Sequence, residues 1–124
     1  MDNLVIPESK ITIEGKEYVL DASTKTLKDI QHAVGVEIVA FLNEHAREAG
    51  FDTIARLFDI GIRNAEGQKS PGIEAIEKHI VDEMGVRMAA LTAVAWLFVA
   101  ISPKRERPKK SEEMANLLQT MARK

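Results

Sequence analysis

Histidine and carboxylate side chains that share helix faces are the residues of this sequence whose spacing could support chemistry. His79 is followed by Asp82 and Glu83 at i+3 and i+4, and a helix would place all three on one face, as some metal sites require. His45 faces Glu48 in the same way. No predicted face gathers two histidines and there is no HExxH motif, so we expect solvated helix surface here and no metal site.

The sequence also lacks the other common catalytic patterns. The stretch from Gly61 to Gly67 does not have the spacing of a phosphate-binding loop, although Ser70 follows Lys69. Ser70 and Ser111 stand outside a GxSxG context, and there is no cysteine to act as nucleophile or thiolate ligand. We therefore expect a protein that is not an enzyme and that binds no metal or cofactor.

Length and charge indicate one folded domain with a basic appendage. The 124 residues are 45% hydrophobic and 29% charged, which is an ordinary globular composition. Residues 102–124 hold seven Lys or Arg against three Glu, or +4, whereas residues 1–101 hold ten against sixteen, or −6. We predict a single domain over 1–101, followed over 102–124 by a basic linker and an amphipathic helix.

Targeting and membrane segments are not expected. Residues 1–3, Met-Asp-Asn, carry no positive charge and no apolar core follows them, which argues against a signal peptide. The most apolar stretch, residues 88–101, would be about 21 Å long as a helix, against about 30 Å of hydrocarbon to cross. It predicts a buried core helix, and the protein is expected to be cytoplasmic, without a membrane partner.

Alternating apolar residues near the start of the chain predict a β-hairpin. Ile11 and Ile13 share one face of the first arm, and Tyr18 and Leu20 share one face of the second. Gly15 between the arms supplies the positive φ that a tight turn needs. Because a two-stranded hairpin is marginal alone, we expect this one to lie on an apolar surface.

The rest of the chain follows helical spacing, which predicts a mainly α fold with a bundle of about five helices and a helical C-terminal tail. Thr26 with Asp29 predicts a capping box, and residues 36–49 predict the following helix. Ser70 as N-cap and Pro71 at the first helical position predict the start of a later helix.

The central helix of this bundle is predicted over residues 86–101, which are apolar nearly all round. Trp96 is expected in the core. Gly61 lies on the apolar face of an earlier predicted helix, where it indicates either a close contact between helices or a merely tolerated glycine.

The tail predicts a helix capped by Ser111, with apolar residues at i, i+3, i+4 and i+7. A helix of about a dozen residues is marginal in water, so it needs a surface to fold against, either the protein's own body or another chain. The partner-binding hypothesis, a helix in a groove aided by adaptable methionines, assigns this role to Met114, Leu117, Leu118 and Met121.

A basic patch precedes the tail helix. Five positive charges without interleaved aromatic residues are more typical of a solvated linker than of a nucleic-acid contact, and the net charge of −2 argues the same way for the whole surface. Nucleic acid is therefore not expected as a partner. The patch consists of Lys104, Arg105, Arg107, Lys109 and Lys110.

The order of these patterns resembles the tail assembly chaperones of long-tailed bacteriophages and of related gene transfer agents. The resemblance covers roughly residues 10–101. It begins with the hairpin ITIEGKEYVL, continues through TKTLKDIQHAVG and FDTIARLFDIGIRNA, and ends with the helix pair IEAIEKHIVDEMG and VRMAALTAVAWLFVAI.

The resemblance implies a non-catalytic factor in the host bacterial cytoplasm that acts during tail morphogenesis and is absent from the mature virion. Its implied partners are the helical tape measure protein, which such chaperones coat until the tube polymerises around it, and the tail tube subunits. We also expect a homo-oligomer. Two other hypotheses stay open: a small helical DNA-binding regulator that uses the basic tail, and an oligomeric structural protein.

Overall fold

A hairpin followed by a series of helices makes up the chain, and the predicted mainly α fold class is confirmed, with about six helices. The computed structural model describes residues 9–122, so the segment 1–3 that bears on the signal-peptide prediction lies outside the described residues. The description also leaves out the side chains of Arg47, Lys104, Pro108, Ser111, Ala115, Met121 and Ala122. The elements are β1 (Lys10–Ile13), β2 (Lys16–Val19), α1 (Thr24–Val34), α2 (Ile38–Ala40), α3 (Phe51–Asn64), α4 (Ile73–His79), α5 (Val86–Ala100) and α6 (Arg107–Ala122).

The hairpin turns through two residues. β1 and β2 are antiparallel with Ile13 opposite Lys16, so Glu14 and Gly15 form the turn. Both have positive φ, 52° at Glu14 and 80° at Gly15, which is the backbone that matches the twist of paired strands. The turn predicted at Gly15 is confirmed.

The apolar face of the hairpin is buried, as predicted, and the chain that leaves it is bonded to α3. The side chains of Ile11, Ile13 and Tyr18 are buried. After β2, the backbone N–H of Asp21 donates to the carbonyl oxygen of Gly61 at 3.0 Å. The hairpin therefore packs on helices instead of standing alone.

α1 begins before the residue that the sequence predicted as its cap. Ser23 is the N-cap, and its hydroxyl accepts from the backbone N–H of Thr26 at 3.4 Å, so the capping box predicted at Thr26 is wrong. Thr26 lies inside the first turn and is buried. Its hydroxyl donates to the Asp21 carboxylate and accepts from the Asn64 amide. Because its hydroxyl is bonded to these partners outside α1, Thr26 does not cap the helix.

The helix predicted over residues 36–49 forms with mixed geometry. α2 passes into a π-helical turn, Phe41–His45, and then into a 3₁₀ turn, Ala46–Glu48. The backbone N–H of Ala46 donates to the carbonyl oxygen of Phe41, five residues back. The wider turn places these two buried side chains on the same side, facing the core.

Gly61 is where α3 meets α5. A Cβ on Gly61 would lie 2.6 Å from Cζ2 and 2.7 Å from Cη2 of Trp96. The indole of Trp96 is 1% exposed, stacks on Phe58 with 6.2 Å between ring centroids, and donates from Nε1 to the carbonyl oxygen of Asp21 at 3.1 Å. The close-contact interpretation of Gly61 and the core position of Trp96 are both confirmed.

α4 begins at the third residue after Ser70, with Gly72 at the N-cap, so the predicted start at Ser70 and Pro71 is wrong. The Ser70 hydroxyl donates to the buried Asp59 carboxylate at 2.6 Å and accepts from the Gly72 N–H at 3.1 Å. Nε of Arg63 donates to the same carboxylate at 2.8 Å. A buried carboxylate needs such donors, and the hydrogen bond to Asp59 therefore keeps Ser70 in the loop before α4.

α5 occupies the predicted central position, and α6 follows it after a short connector. Val86–Ala100 matches the prediction of 86–101. α6 begins at Arg107, four residues before Ser111, so the cap predicted at Ser111 is wrong. Pro108 lies in the first turn of α6, where a missing N–H leaves no helical hydrogen bond unmade. Most of the basic run, which was expected to be a linker, is therefore helical.

The core is one cluster drawn from the hairpin and from α1 to α5. No described residue of α6 belongs to it. The fully buried side chains that fill its centre include Ile13, Ile30, Ile54, Phe58, Ile76, Trp96 and Leu97.

The loop between α3 and α4 is tied to the hairpin by Gln68. Its Oε1 accepts from the Val19 N–H at 2.7 Å, and its Nε2 donates to the carbonyl oxygens of Val19 at 2.9 Å and Ile62 at 3.1 Å. The side-chain amide thus pairs with the free edge of β2 as a neighbouring strand would, and it connects that edge to α3.

Candidate partner-binding surface

The residues assigned to partner binding lie on α6, which packs along α5 of the same chain. Met114 and Leu118 are half-buried, whereas Leu117 is 51% exposed. The side chain of Met121 lies outside the described residues. These four residues form the apolar stripe of α6. Of its described side chains, two pack against the protein's own body and one is exposed to solvent.

Arg107 closes the C-terminal end of α5. Its Nε donates to the carbonyl oxygen of Ser102 at 3.1 Å, and its Nη2 donates to that of Ala100 at 2.9 Å. The last carbonyls of a helix have no partner within the helix and carry the negative end of its dipole, so a guanidinium is well suited to bind them. In the sequence, Arg107 looked like one of five linker cations, and no local signal distinguishes it.

The remaining cations of the predicted basic patch are divided. The ammonium of Lys110 lies 5.7 Å from the ring centroid of Phe98 on α5, within the range of a cation–π interaction. Arg105 and Lys109 are exposed, and the side chain of Lys104 lies outside the described residues. Arg107 and Lys110 therefore bind α5, while at least two members of the patch face solvent.

A groove of about 350 Å³ opens between the end of α1, the mixed helix that contains α2, and the start of α3. Val34, Val36 and Phe41 form apolar parts of its lining, and His45 and Glu48, which were expected to share a helix face, both line it. The sequence did not predict this groove because the π turn changes which side chains lie on the same face of the helix. The lining of the groove therefore mixes these apolar residues with polar ones, which include His45, Glu48 and Thr53.

His79 and its acidic neighbours lie where α4 passes into a second π turn, Ile80–Met84. With Glu14 of the hairpin turn, His79, Asp82 and Glu83 line a depression of about 340 Å³. Over residues 9–122, no three His, Asp or Glu side chains are arranged so that they could hold a metal ion. The depression is lined by three carboxylates together with His79 and the ammonium of Lys78.

Asp21, between β2 and α1, has a shifted pKa. Burial raises the pKa of this carboxyl, but hydrogen bonds from the Ser23 hydroxyl, the Thr26 hydroxyl and the Ser23 backbone N–H outweigh burial and hold it below its ordinary value. Asp21 is therefore an anionic anchor for the first turn of α1, and its position beside Trp96 gives it a structural role.

Asp29 on α1 also has a lowered pKa. The ammonium of Lys25 donates to it at 2.8 Å and is the main cause, and the Asn64 amide donates to it at 2.9 Å. Because Asn64 is the last residue of α3, the hydrogen bond from its amide joins α3 to α1. Both shifted carboxylates thus belong to the junction of α1 with α3.

Among the described helices, none is by itself both long and apolar enough to cross a membrane, and Ile73–Met84 with Val86–Ala100 pass the same test only as a pair bent by 115°. No protein-family model, curated protein or solved structure matches the chain. The function is therefore inferred from the surfaces of the molecule and from the order of its elements.

Proposed function

We propose that this protein is a non-catalytic chaperone of phage tail assembly, which binds the helical tape measure protein in the host cytoplasm before the tail tube forms. The order of elements supports the proposal, since a hairpin precedes the helices, as in the family that the sequence resembles. In this role the chain is absent from the mature virion and needs neither metal nor cofactor.

The observation that carries the proposal is the apolar surface of α6. Leu117 is 51% exposed beside the half-buried Met114 and Leu118. A helix that presents such residues to solvent suits a helical partner, which buries them in a shared groove. Each buried side chain would contribute roughly 1.5–3 kcal/mol before the costs of ordering and association, so the expected affinity is modest.

Further exposed apolar side chains support more than one partner. Val39, Phe51 and Val81 are exposed on other helical segments of the chain. A chaperone that meets a long client repeatedly, associates with copies of itself and recruits tail tube subunits needs several such surfaces. We therefore include homo-oligomer formation in the proposal.

The DNA-regulator alternative has less support because its basic patch is partly occupied. Arg107 and Lys110 are bound to α5, so two of the five cations are drawn away from a phosphate backbone. The alternative predicts binding of duplex DNA that weakens steeply with salt. A purely structural protein predicts self-assembly without any client.

Co-expression with a candidate client tests the proposal. The full chain is produced together with a long helical protein of the tape measure type that is insoluble alone, and the soluble yield and co-purification of that protein are measured. Leu117→Gln should reduce both by several-fold, because it removes apolar surface from α6. Asn116→Gln is the matched control, since Asn116 is exposed on the same helix and lies outside the apolar residues assigned to binding.

Three results would contradict the chaperone. The first is a client that stays insoluble with the wild-type chain, and the second is a client equally well retained by Leu117→Gln. The third is salt-sensitive DNA binding by the wild-type protein at physiological ionic strength, which would favour the regulator.

A further inference from the structure

α6 is anchored to α5 mainly through its first turn. Arg107 donates to the carbonyl oxygens of Ala100 and Ser102, and Lys110 lies over Phe98. Beyond Lys110, the described side-chain hydrogen bond of α6 stays within the helix, from the Thr120 hydroxyl to the Asn116 carbonyl oxygen. The remaining three turns of the helix therefore depend on apolar contact.

That apolar contact involves few of the described side chains. Of the described side chains of α6, Arg107, Lys110, Met114 and Leu118 are half-buried and recur along the side that faces α5, and Met114 and Leu118 are the two apolar residues among these four. Leu117 lies beside this row and is exposed. Since the described residues of α6 contribute nothing to the core cluster, α6 can separate from the body without opening the core.

The surface that α6 covers is more apolar than α6 itself. Ala95 and Val99 of α5 are 8% and 5% exposed, yet they lie outside the core cluster, and the neighbouring Phe98 lies against Lys110 of α6. From Met88 to Ile101 the sequence contains no charged residue. Undocking of α6 would thus expose a continuous apolar helix face with two carbonyl groups at its end.

We infer that α6 is a latch over this face of α5, and that an amphipathic helix of a partner binds there when the latch opens. The inference rests on the proposed function and specifies how it is regulated. α6 defines the occupant: a helix that runs back along α5 with apolar residues at successive turns and an Arg or Lys in its first turn. That cation takes over the Ala100 and Ser102 carbonyls from Arg107.

Opening also completes the stripe on α6. Met114 and Leu118 are half-buried against α5 in the closed form, so they can act together with Leu117 only after α6 leaves. The closed form therefore covers the apolar face of α5 and half-buries Met114 and Leu118, while Leu117 stays exposed.

A cross-linked full chain tests the latch without a client. The protein has no cysteine, so Phe98→Cys with Lys110→Cys can be joined by a short bis-maleimide that locks α6 onto α5. The control is the same double variant capped on both thiols with N-ethylmaleimide. The probe is a fluorescein-labelled peptide of residues 104–122, and its binding is followed by anisotropy. Locking should weaken binding at least tenfold relative to the capped control.

A second pair of variants tests the latch by loosening it. Arg107→Ala removes the first-turn anchor, and Lys109→Ala is the matched control because Lys109 is exposed. Arg107→Ala should raise the affinity for the probe and speed amide hydrogen exchange in residues 111–122 by several-fold, while exchange within α5 residues that face the core stays slow. Lys109→Ala should change neither quantity.

Equal probe binding by the locked and capped proteins, or unchanged exchange in Arg107→Ala, would overturn the latch. A cross-link that joins two chains instead of one would show that α6 is exchanged between copies, and this too would overturn a partner helix as the occupant. If the probe binds as expected but no tape measure protein is retained, the proposed function fails while the latch stands.

Discussion

At the scale of single residues, Trp96 joins the hairpin, α3 and α5. Its ring occupies the space left by the missing side chain of Gly61, stacks on Phe58, and is fixed in orientation by the hydrogen bond from Nε1 to the carbonyl oxygen of Asp21. A bulky ring and a glycine on facing helices are complementary, so a change at either position should depend on the other.

Gly61→Ala should therefore destabilise the protein despite the better helix propensity of alanine. The new Cβ would lie 2.6 Å from Cζ2 of Trp96, and overpacking of about 1–3 kcal/mol outweighs a propensity gain of about 1 kcal/mol. Urea unfolding of Gly61→Ala, Trp96→Phe and the double variant measures the coupling. The alanine should cost less beside the smaller phenylalanine, and strictly additive effects would show that Trp96 is not what excludes the Cβ.

The two shifted carboxylates predict how stability depends on pH. Asp21 and Asp29 have lower pKa values in the folded protein than in the unfolded chain, so the folded state binds fewer protons. Their stabilisation is fully present above the ordinary aspartate pKa of about 3.9 and is lost as the pH falls through the folded values.

Melting temperatures between pH 6 and pH 2.5 check this expectation. The wild type should lose stability mainly below about pH 4. Asp21→Asn should be less stable at pH 6 and should lose less on acidification, because it has no carboxylate to protonate at this position. The same acid dependence in both proteins would place the responsible groups elsewhere.

At the scale of elements, side chains from loops set how the hairpin and the helices meet. Gln68 reaches from the loop after α3 to both the free edge of β2 and the end of α3. Asp59 acts in the same way by holding Ser70 ahead of α4. These contacts fix how α3 meets β2 and the start of α4.

Gln68→Ala should destabilise the protein by about 1–3 kcal/mol, because the half-buried N–H and carbonyl of Val19 lose their partner. Gln68→Glu is the matched control. It keeps an acceptor for the Val19 N–H but loses the donor to the Val19 and Ile62 carbonyls, so an intermediate cost is expected in chemical denaturation. A cost within error for both variants would show that water replaces these bonds freely.

Removal of residues 103–124 should leave a cooperatively folded protein that has lost the apolar residues of α6, so self-association or client binding through α6 should weaken, while the uncovered face of α5 should still bind the peptide of residues 104–122. The core cluster includes no described residue of α6, which is why the fold should survive. Calorimetry and sedimentation of the truncated and full chains give the two readouts. A sharply lowered melting temperature with unchanged mass and client binding would mean that α6 serves its own fold alone.

At the scale of the whole molecule, exposed apolar side chains are the surface feature that bears on the proposed function. His32 and His45 are exposed and His79 is half-buried. The apolar side chains that remain exposed belong mainly to helical segments, including Val39, Val81 and Leu117. These apolar side chains support the proposed binding between chains.

The triple replacement of His32, His45 and His79 by Gln should leave function and metal content unchanged. Surface substitutions usually alter the free energy of unfolding by no more than about 0.5 kcal/mol, so stability should change little as well. Elemental analysis and client retention are the measurements. Stoichiometric zinc in the wild type that disappears in the triple variant would overturn this expectation.

Several features could be predicted from the sequence because they depend on local patterns. The turn could be placed because Gly15 adopts positive φ without strain, whereas the positive φ of Glu14 has no signal in its residue type. The extent of α5 and the burial of Trp96 follow from a stretch that is apolar on every side and can only lie inside the fold. The candidate stripe on α6 was visible for the same reason, as an apolar period along a helix.

The tertiary structure alone decided where helices begin and which charges are bound. The predicted caps at Thr26 and Ser70 were wrong because the Thr26 hydroxyl accepts from the Asn64 amide of α3 and the Ser70 hydroxyl donates to the buried Asp59 carboxylate. A local pattern can propose a residue that caps a helix but cannot weigh that role against a partner that another element brings to it. Likewise, Arg107 reaches the end of α5 only because the connector turns α6 back along α5. The same turn decides which apolar residues of α6 are exposed to solvent.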